Sequence, residues 1–240
     1  MTALAAPATP ATNDVALQFK GWAKPVAVDG AKAGELGVQT RVDVGPASLQ
    51  NTLIGYGQVG NGKVLVRGEK EAVLEAGPVE LTGRVRSTAY ATTEKVGVES
   101  RTSGSVVAGP VSLDGAVEGR ASVGVNGVRV SGDAAGNAGA GAVALQGKVA
   151  GSAVVSNDRV EVAGSASGTT NVGSAGIGGS LAGAAAITGS SLTVGGEAKA
   201  DAHLGAYSVS IAAKGSVRVD GDFPFIHVDA SLAVDAHKNA

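Results

Sequence analysis

Two overlapping glycine-rich stretches have the spacing of a phosphate cradle. Gly55-Tyr56-Gly57-Gln58-Val59-Gly60 fits G-x-G-x-x-G, and Gly57 to Val64 reads GQVGNGKV, with Val64 where a P-loop needs Ser or Thr for magnesium. Either motif works only where the loop opens a helix whose N-terminal amides hold phosphate. Here Asn61-Gly62 is a two-residue hairpin signal and an alternating, strand-like segment follows, so no nucleotide site is expected. The three histidines, His203, His227 and His237, lie near Asp201, Asp229 and Asp235 in sequence. On the strand grid derived below, His203 shares a row with Ser208 and Asp235, and His227 a row with Ser216. That separates the two histidines by about 27 Å along the strands, too far to share an ion. The carboxylates stand singly among Lys and Arg, whereas a glycosidase-type pair needs two carboxyls facing each other across a cleft. No catalytic, cofactor-binding or metal-binding residue is expected, and no cofactor.

Composition narrows the partners. Among 240 residues there are 38 glycines, no cysteine and only 3% aromatics, and the net charge is −2. A nucleic-acid partner would call for a basic field, so none is expected. Without cysteine there is neither a disulfide nor thiolate chemistry. The first twelve residues, MTALAAPATPAT, lack the basic and continuous apolar regions of a secretory signal. They read as a flexible tail, and no apolar run reaches the ~20 residues of a transmembrane helix.

The elements that must position any site follow from an internal repeat. GPASLQ at Gly45, GPVELTG at Gly77, GPVSLDG at Gly109 and GAVALQG at Gly141 each begin 32 residues after the last. The same ruler reaches Gly173 and Gly205, and backward Asn13. Seven units thus fill residues 13–236 as a single repeat domain, leaving 237–240 as a second tail. One column of the repeat, Leu17, Leu49, Leu81, Leu113, Leu145, Ile177 and Val209, is aliphatic throughout.

Each unit carries two turn signals half a unit apart. Asp29-Gly30 and Asn61-Gly62 suit a type I′ turn, which needs positive φ at both central residues. Gly45-Pro46, Gly77-Pro78, Gly109-Pro110 and Gly141-Ala142 suit type II′, with glycine first. In the fourth unit Asn126-Gly127 suggests a turn displaced by one. Two turns per unit leave two 14-residue strands. In unit four Val111, Leu113, Val117 and Val123 then share a face with Val128, Val130, Ala134 and Ala138, while Ser112, Asp114, Glu118, Arg120 and Arg129 share the other. Turn chemistry and alternation agree on one register.

The expected fold is therefore all-β: a 14-stranded antiparallel meander of hairpin repeats. Turns of equal length give almost no stagger, which disfavours a closed barrel. Glycines recur on the inward face, among them Gly55, Gly83, Gly119, Gly147, Gly151, Gly164, Gly179 and Gly183. Strand glycines mark bends or close backbone approach, so the sheet is expected to crease lengthwise and pack its small-residue face on itself as two layers. A β-solenoid and a closed up-and-down barrel are the alternatives. Pro25 and Pro224 fall in the first and last strands, where proline discourages further pairing of an open edge.

On the outward face Trp22, Val26, Ile54, Tyr56, Leu65 and Tyr90 cluster across the first five strands, a candidate contact patch. In units five and six the same face is nearly bare, with Ala144, Ala150, Ser152, Ala182, Ala184 and Ala186. Such a surface suits sheet stacking. The leading expectation is a non-enzymatic structural or interaction module, a stalk, fibre or scaffold segment, using the outer face for a protein partner or self-association. The alternative is a 14-stranded membrane barrel or pore, against which stand short turns at both ends and no aromatic girdles.

Overall fold

The computed structural model describes residues 15–189, 191–220 and 225–238. It is one antiparallel meander of fourteen strands in strict chain order. The strands are β1 (Val15–Val28), β2 (Ala31–Val44), β3 (Ala47–Gly60), β4 (Lys63–Ala76), β5 (Val79–Thr92), β6 (Lys95–Ala108) and β7 (Val111–Gly124). There follow β8 (Gly127–Ala140), β9 (Val143–Val155), β10 (Arg159–Val172), β11 (Ala175–Thr188), β12 (Ser191–Leu204), β13 (Tyr207–Asp220) and β14 (Phe225–Lys238). The described residues contain no helix.

Turn chemistry sets the register. Gly45, Gly77, Gly109, Gly141, Gly173 and Gly205 all lie between φ 55° and 59°, the left-handed first position that a type II′ turn reserves for glycine. Asn61 (φ 53°) and Gly62 (φ 66°) form the expected type I′ pair. At Asp29-Gly30 only the glycine has positive φ, so that turn is not type I′. Thr93-Glu94 carries no turn-forming glycine. There the Thr92 hydroxyl substitutes, accepting from the Glu94 and Lys95 amides at 3.3 and 3.1 Å. The turns also bond to each other: Gly173 N donates to Ala142 O at 2.9 Å and Gly205 N to Ser174 O at 3.0 Å. At the opposite end the Asn61 side-chain amide donates to Asp29 O at 2.6 Å.

Two local expectations are corrected. The fourth hairpin is not displaced: its turn is Val125-Asn126, with Gly124 opposite Gly127. Gly127 absorbs the misfit with φ 110°, where a Cβ would lie 2.0 Å from Val155 O. At the last hairpin Asp220 pairs with Phe225, so four residues separate β13 from β14 instead of two. The expected Gly221-Asp222 turn, Phe223 and Pro224 lie outside the described residues, as does the N-terminal tail. The shift is an even number of residues, so each β14 side chain keeps its face.

Cross-strand pairing places the side chains in rows that run across the whole sheet. The row through Leu113 passes from Leu17 by Val42, Leu49, Leu74, Leu81 and Val106 to Leu113, and on by Leu145 and Ile177 to Val209. Parallel to it runs an unbroken glycine ladder over β5–β11: Gly83, Gly104, Gly115, Gly136, Gly147, Gly168 and Gly179. A second ladder crosses β7–β13: Gly119, Gly132, Gly151, Gly164, Gly183, Gly196 and Gly215. Between them stands the aliphatic row of Val117, Val149 and Leu181.

The sheet is open, with β1 and β14 as its edges, and single-layered. Each strand touches only its neighbours in sequence. The lengthwise crease into two layers does not occur, nor does closure into a barrel. Strands of nearly equal length, joined by two-residue turns up to β13, give neither shear nor a returning segment. The expected core column is consequently uncovered: Leu113 is 54% exposed and Ile177 70%. No hydrophobic side chain is buried among the described residues. Pro25 lies on the β1 edge, as expected.

Candidate contact surface on the outer face

The register brings all six predicted patch residues together. Trp22, Gly37, Ile54 and Glu69 form one row across β1–β4. Lys24, Glu35, Tyr56, Arg67 and Thr88 form the next across β1–β5. Val26, Ala33, Gln58, Leu65, Tyr90 and Gly97 form the third across β1–β6. Trp22, Val26, Ile54, Tyr56, Leu65 and Tyr90 are all half-buried, unlike the aliphatic columns behind them. The outer face is thus the better covered of the two. Long side chains on adjacent strands lie over one another, whereas the glycine rows behind leave the aliphatics standing apart.

Glycine is needed under two of the aromatics. The Trp22 ring lies over Gly37, where a Cβ would meet ring atoms at 2.0 and 2.1 Å. Tyr90 lies over Gly97, where a Cβ would be 2.5 Å from its hydroxyl oxygen. Gly37, Gly97 and Gly176 are the buried residues among those described, each roofed by outer-face side chains. Gly176 sits under Asn171 and His203.

Polar contacts fix the rings. The Trp22 indole N–H donates to Glu35 Oε1 at 2.9 Å, and Lys24 Nζ lies 3.1 Å from the same oxygen. These two hydrogen bonds, the indole's first, hold the Glu35 carboxyl below its ordinary value of 4.5. The Arg67 guanidinium sits 5.0 Å from the Tyr56 ring centroid and Lys95 Nζ 5.6 Å from that of Tyr90, cation–π geometry in both cases. Tyr56 donates to Gln58 Oε1 at 3.1 Å. Beside the patch, Arg86 bonds Glu69 at 2.8 Å, Arg84 bonds Glu71 at 2.5 Å, and Glu118 bridges Arg101 and Arg120. Such exposed pairs contribute roughly 0–1 kcal/mol each and serve mainly to order the surface.

Sequence reasoning found the aromatic and aliphatic members but missed Gly37, Gly97, Glu35 and Arg67 as their partners. For Gly37, Gly97 and Arg67 the signal was present, since each stands opposite its ring once positions are summed across the hairpin; Glu35 stands opposite Lys24 and meets Trp22 diagonally.

In units five and six the outer face of several strands is nearly bare, as expected, and a shallow open trough of about 730 Å³ lies there, lined by Ala150, Ser152, Ala182 and Ala184 above the second glycine ladder. Its shape follows from absent side chains, and the charged residues at its margin, among them Asp133, Lys148 and Glu197, do not converge. Tyr56, Gly57 and Gln58, predicted not to form a phosphate loop, lie in β3, and Asn61-Gly62 is a hairpin turn. The two-residue shift of β14 places His203 in a row with Ser208 and His237 rather than Asp235. His227 stands opposite Arg218 instead of Ser216, and its Nε2 is 3.1 Å from Asp229. Among the described residues no three His, Cys, Asp or Glu side chains gather at one point, and no helix is long and apolar enough to cross a membrane. No family model matches the chain, and no curated protein is significantly similar to it.

Proposed function

We propose that the protein is a non-enzymatic structural or interaction module, a scaffold segment whose outer face at β1–β5 is a protein contact surface. The observation that supports this reading is the row structure itself. Turn glycines, cross-strand pairs and alternation all serve to hold fourteen equal strands in register, and the half-buried rings of Trp22, Tyr56 and Tyr90 are gathered in three adjacent rows by that register. Trp, Tyr and Arg are the side chains enriched among those that dominate binding at interface centres. The open sheet lacks the closure a pore requires.

Sedimentation and small-angle scattering without detergent test the scaffold reading. Fourteen strands of 13 or 14 residues give a slab about 65 Å wide and 45 Å tall. A particle with those dimensions in plain buffer supports the reading. A chain that stays dispersed only in detergent refutes it in favour of a membrane-associated form.

A further inference from the structure

Most positions of the glycine ladders are not explained by the chain's own structure. None of their fourteen members has the positive φ that would require glycine. A Cβ built on Gly83 or Gly119 meets nothing within 4 Å, and on Gly115, Gly136, Gly147, Gly151, Gly164, Gly183 and Gly215 only ordinary contacts at 3.5–4.0 Å; on Gly104, Gly132, Gly168, Gly179 and Gly196 it would lie 3.0–3.4 Å from a neighbouring strand's carbonyl oxygen. Glycine within a strand costs roughly 0.5–1 kcal/mol relative to alanine. Glycine in a strand interior also marks a place where another backbone or ligand approaches closely. None of the described residues makes that approach over this face.

The same face is apolar and uncovered. Its area follows from the strand dimensions, about 3,000 Å², whereas exposed apolar patches on monomers seldom exceed a few hundred. The longest stretch outside the described residues, 1–14, is one strand in length and could cover about a tenth of it at most. The relief is regular. Taken along β7, the rows are a ridge at Leu113, a groove at Gly115, a ridge at Val117, a groove at Gly119, and ridges at Ala121 and Val123. An open trough of about 610 Å³ follows the first groove beside Val117, Val149 and Leu181.

We infer that this face mates with the same face of a second copy of the chain. The four central rows of this relief are self-complementary about a two-fold axis lying in the interface and running across the strands, with the Leu113 and Val123 ridges meeting crest to crest outside them. If the Val117 ridge of one copy sits in the Gly119 groove of the other, the Ala121 ridge falls in the Gly115 groove, and both contacts recur by symmetry. Four central rows interlock at once, as an isologous interface demands. The glycines let the backbones approach, and the ridges fill the space. About 3,000 Å² per copy is well above the ~800 Å² per partner of a standard stable interface. The dimer rests on the scaffold reading for its open sheet, but it uses the face opposite the aromatic patch.

Sedimentation equilibrium on the full chain without detergent is the test. The expected mass is twice 23.2 kDa, or 46.4 kDa. The decisive variant is Gly83→Val with Gly119→Val. In a lone sheet both valines face open space and favour the strand, so they should leave stability unchanged or raise it. In the mated pair they fill the grooves, and the dimer dissociation constant should rise at least tenfold with the β-sheet circular dichroism intact. Leu181→Asp, on the central ridge, should do the same and covers the case in which the glycine variant fails to fold. A soluble, slab-shaped monomer at all concentrations, or variants that dimerise like the parent, would overturn the inference while leaving the scaffold reading standing. A monomer that floats with phosphatidylcholine vesicles would overturn it as well, assigning the face to lipid.

Discussion

Replacing Gly37 with valine should lift the Trp22 indole off the sheet. The ring occupies the space a side chain at position 37 would need, with ring atoms 2.0 and 2.1 Å from a built Cβ. A half-covered indole shields on the order of 100 Å², worth about 2.5 kcal/mol at ~25 cal/mol per Å². Loss of its hydrogen bond to Glu35 adds about 1 kcal/mol. The better strand propensity of valine returns up to ~1 kcal/mol. The net cost is roughly 2–3 kcal/mol, borne by the first hairpin. The chain has a single tryptophan, so its fluorescence reports this site alone. Emission should shift to the red in buffer, and the urea transition followed by fluorescence should move to lower denaturant. Strands touch only their sequence neighbours, so the loss should stay local. Hydrogen exchange in β1 should quicken while β10 keeps its protection. Unchanged emission, or loss of protection throughout the sheet, would show that the ring does not depend on Gly37 or that the repeats are not coupled through nearest neighbours alone.

Further outcomes follow from the same contacts. Because the folded Glu35 carboxyl titrates below 4.5, its stabilising contribution is complete above that value and lost as pH falls through the folded value. Trp22 emission should therefore change with a midpoint below pH 4.5, and Lys24→Met should raise that midpoint; a midpoint above 4.5 would contradict the assigned hydrogen bonds. Asn61 is the non-glycine residue with positive φ among those described, and it bonds Asp29 O. Asn61→Ala should cost about 1–2 kcal/mol in urea unfolding, with Asn61→Gly restoring the backbone part. Leu113→Ala, at 54% exposure, should cost at most ~1 kcal/mol at dilutions where the chain is monomeric, against the ~2–5 kcal/mol of an enclosed leucine.

The strand register was legible because several local signals agreed on it. Gly-Pro and Asn-Gly at half-unit spacing define the turns, and alternation assigns the faces; either alone would have left the fourth unit ambiguous, and the displaced turn expected at Asn126-Gly127 shows how. There the dipeptide preference lost to the in-register ladders on both sides of β7 and β8, with Gly127 absorbing the difference. The two-residue lengthening before β14 was invisible because an even shift preserves alternation. The contact patch was half legible: Trp22 and Tyr90 stand out by composition, while Gly37 and Gly97 matter only through what lies above them. The layer arrangement was misread for a physical reason. Strand glycine is consistent both with a bend and with close approach by another surface, and composition does not distinguish them. Open space around Gly83 and Gly119, with extended backbone and none of the described residues opposite, favours the second.

Support along the sheet is unequal, and the inequality says where a covering surface would matter most. Over β1–β7 the outer face contributes its own packing, from the roofed Gly37 and Gly97 to the Arg–Glu pairs. Over β9–β12 the middle of that face is mainly alanine, serine and glycine, broken by Lys148 and the Glu197–Lys199 pair, so little side-chain packing there adds to the backbone ladder. The turn-to-turn bonds at Gly173 and Gly205 tie the ends of these strands but not their middles. The two glycine ladders are displaced toward this region, spanning β5–β11 and β7–β13, and run together only over β7–β11. If a second copy seats on the inner face, its tightest interlocking therefore falls on the strands that the outer face supports least. Each half of the sheet would then be held from a different side, the N-terminal half by its own aromatic and charged surface and the C-terminal half by the mate.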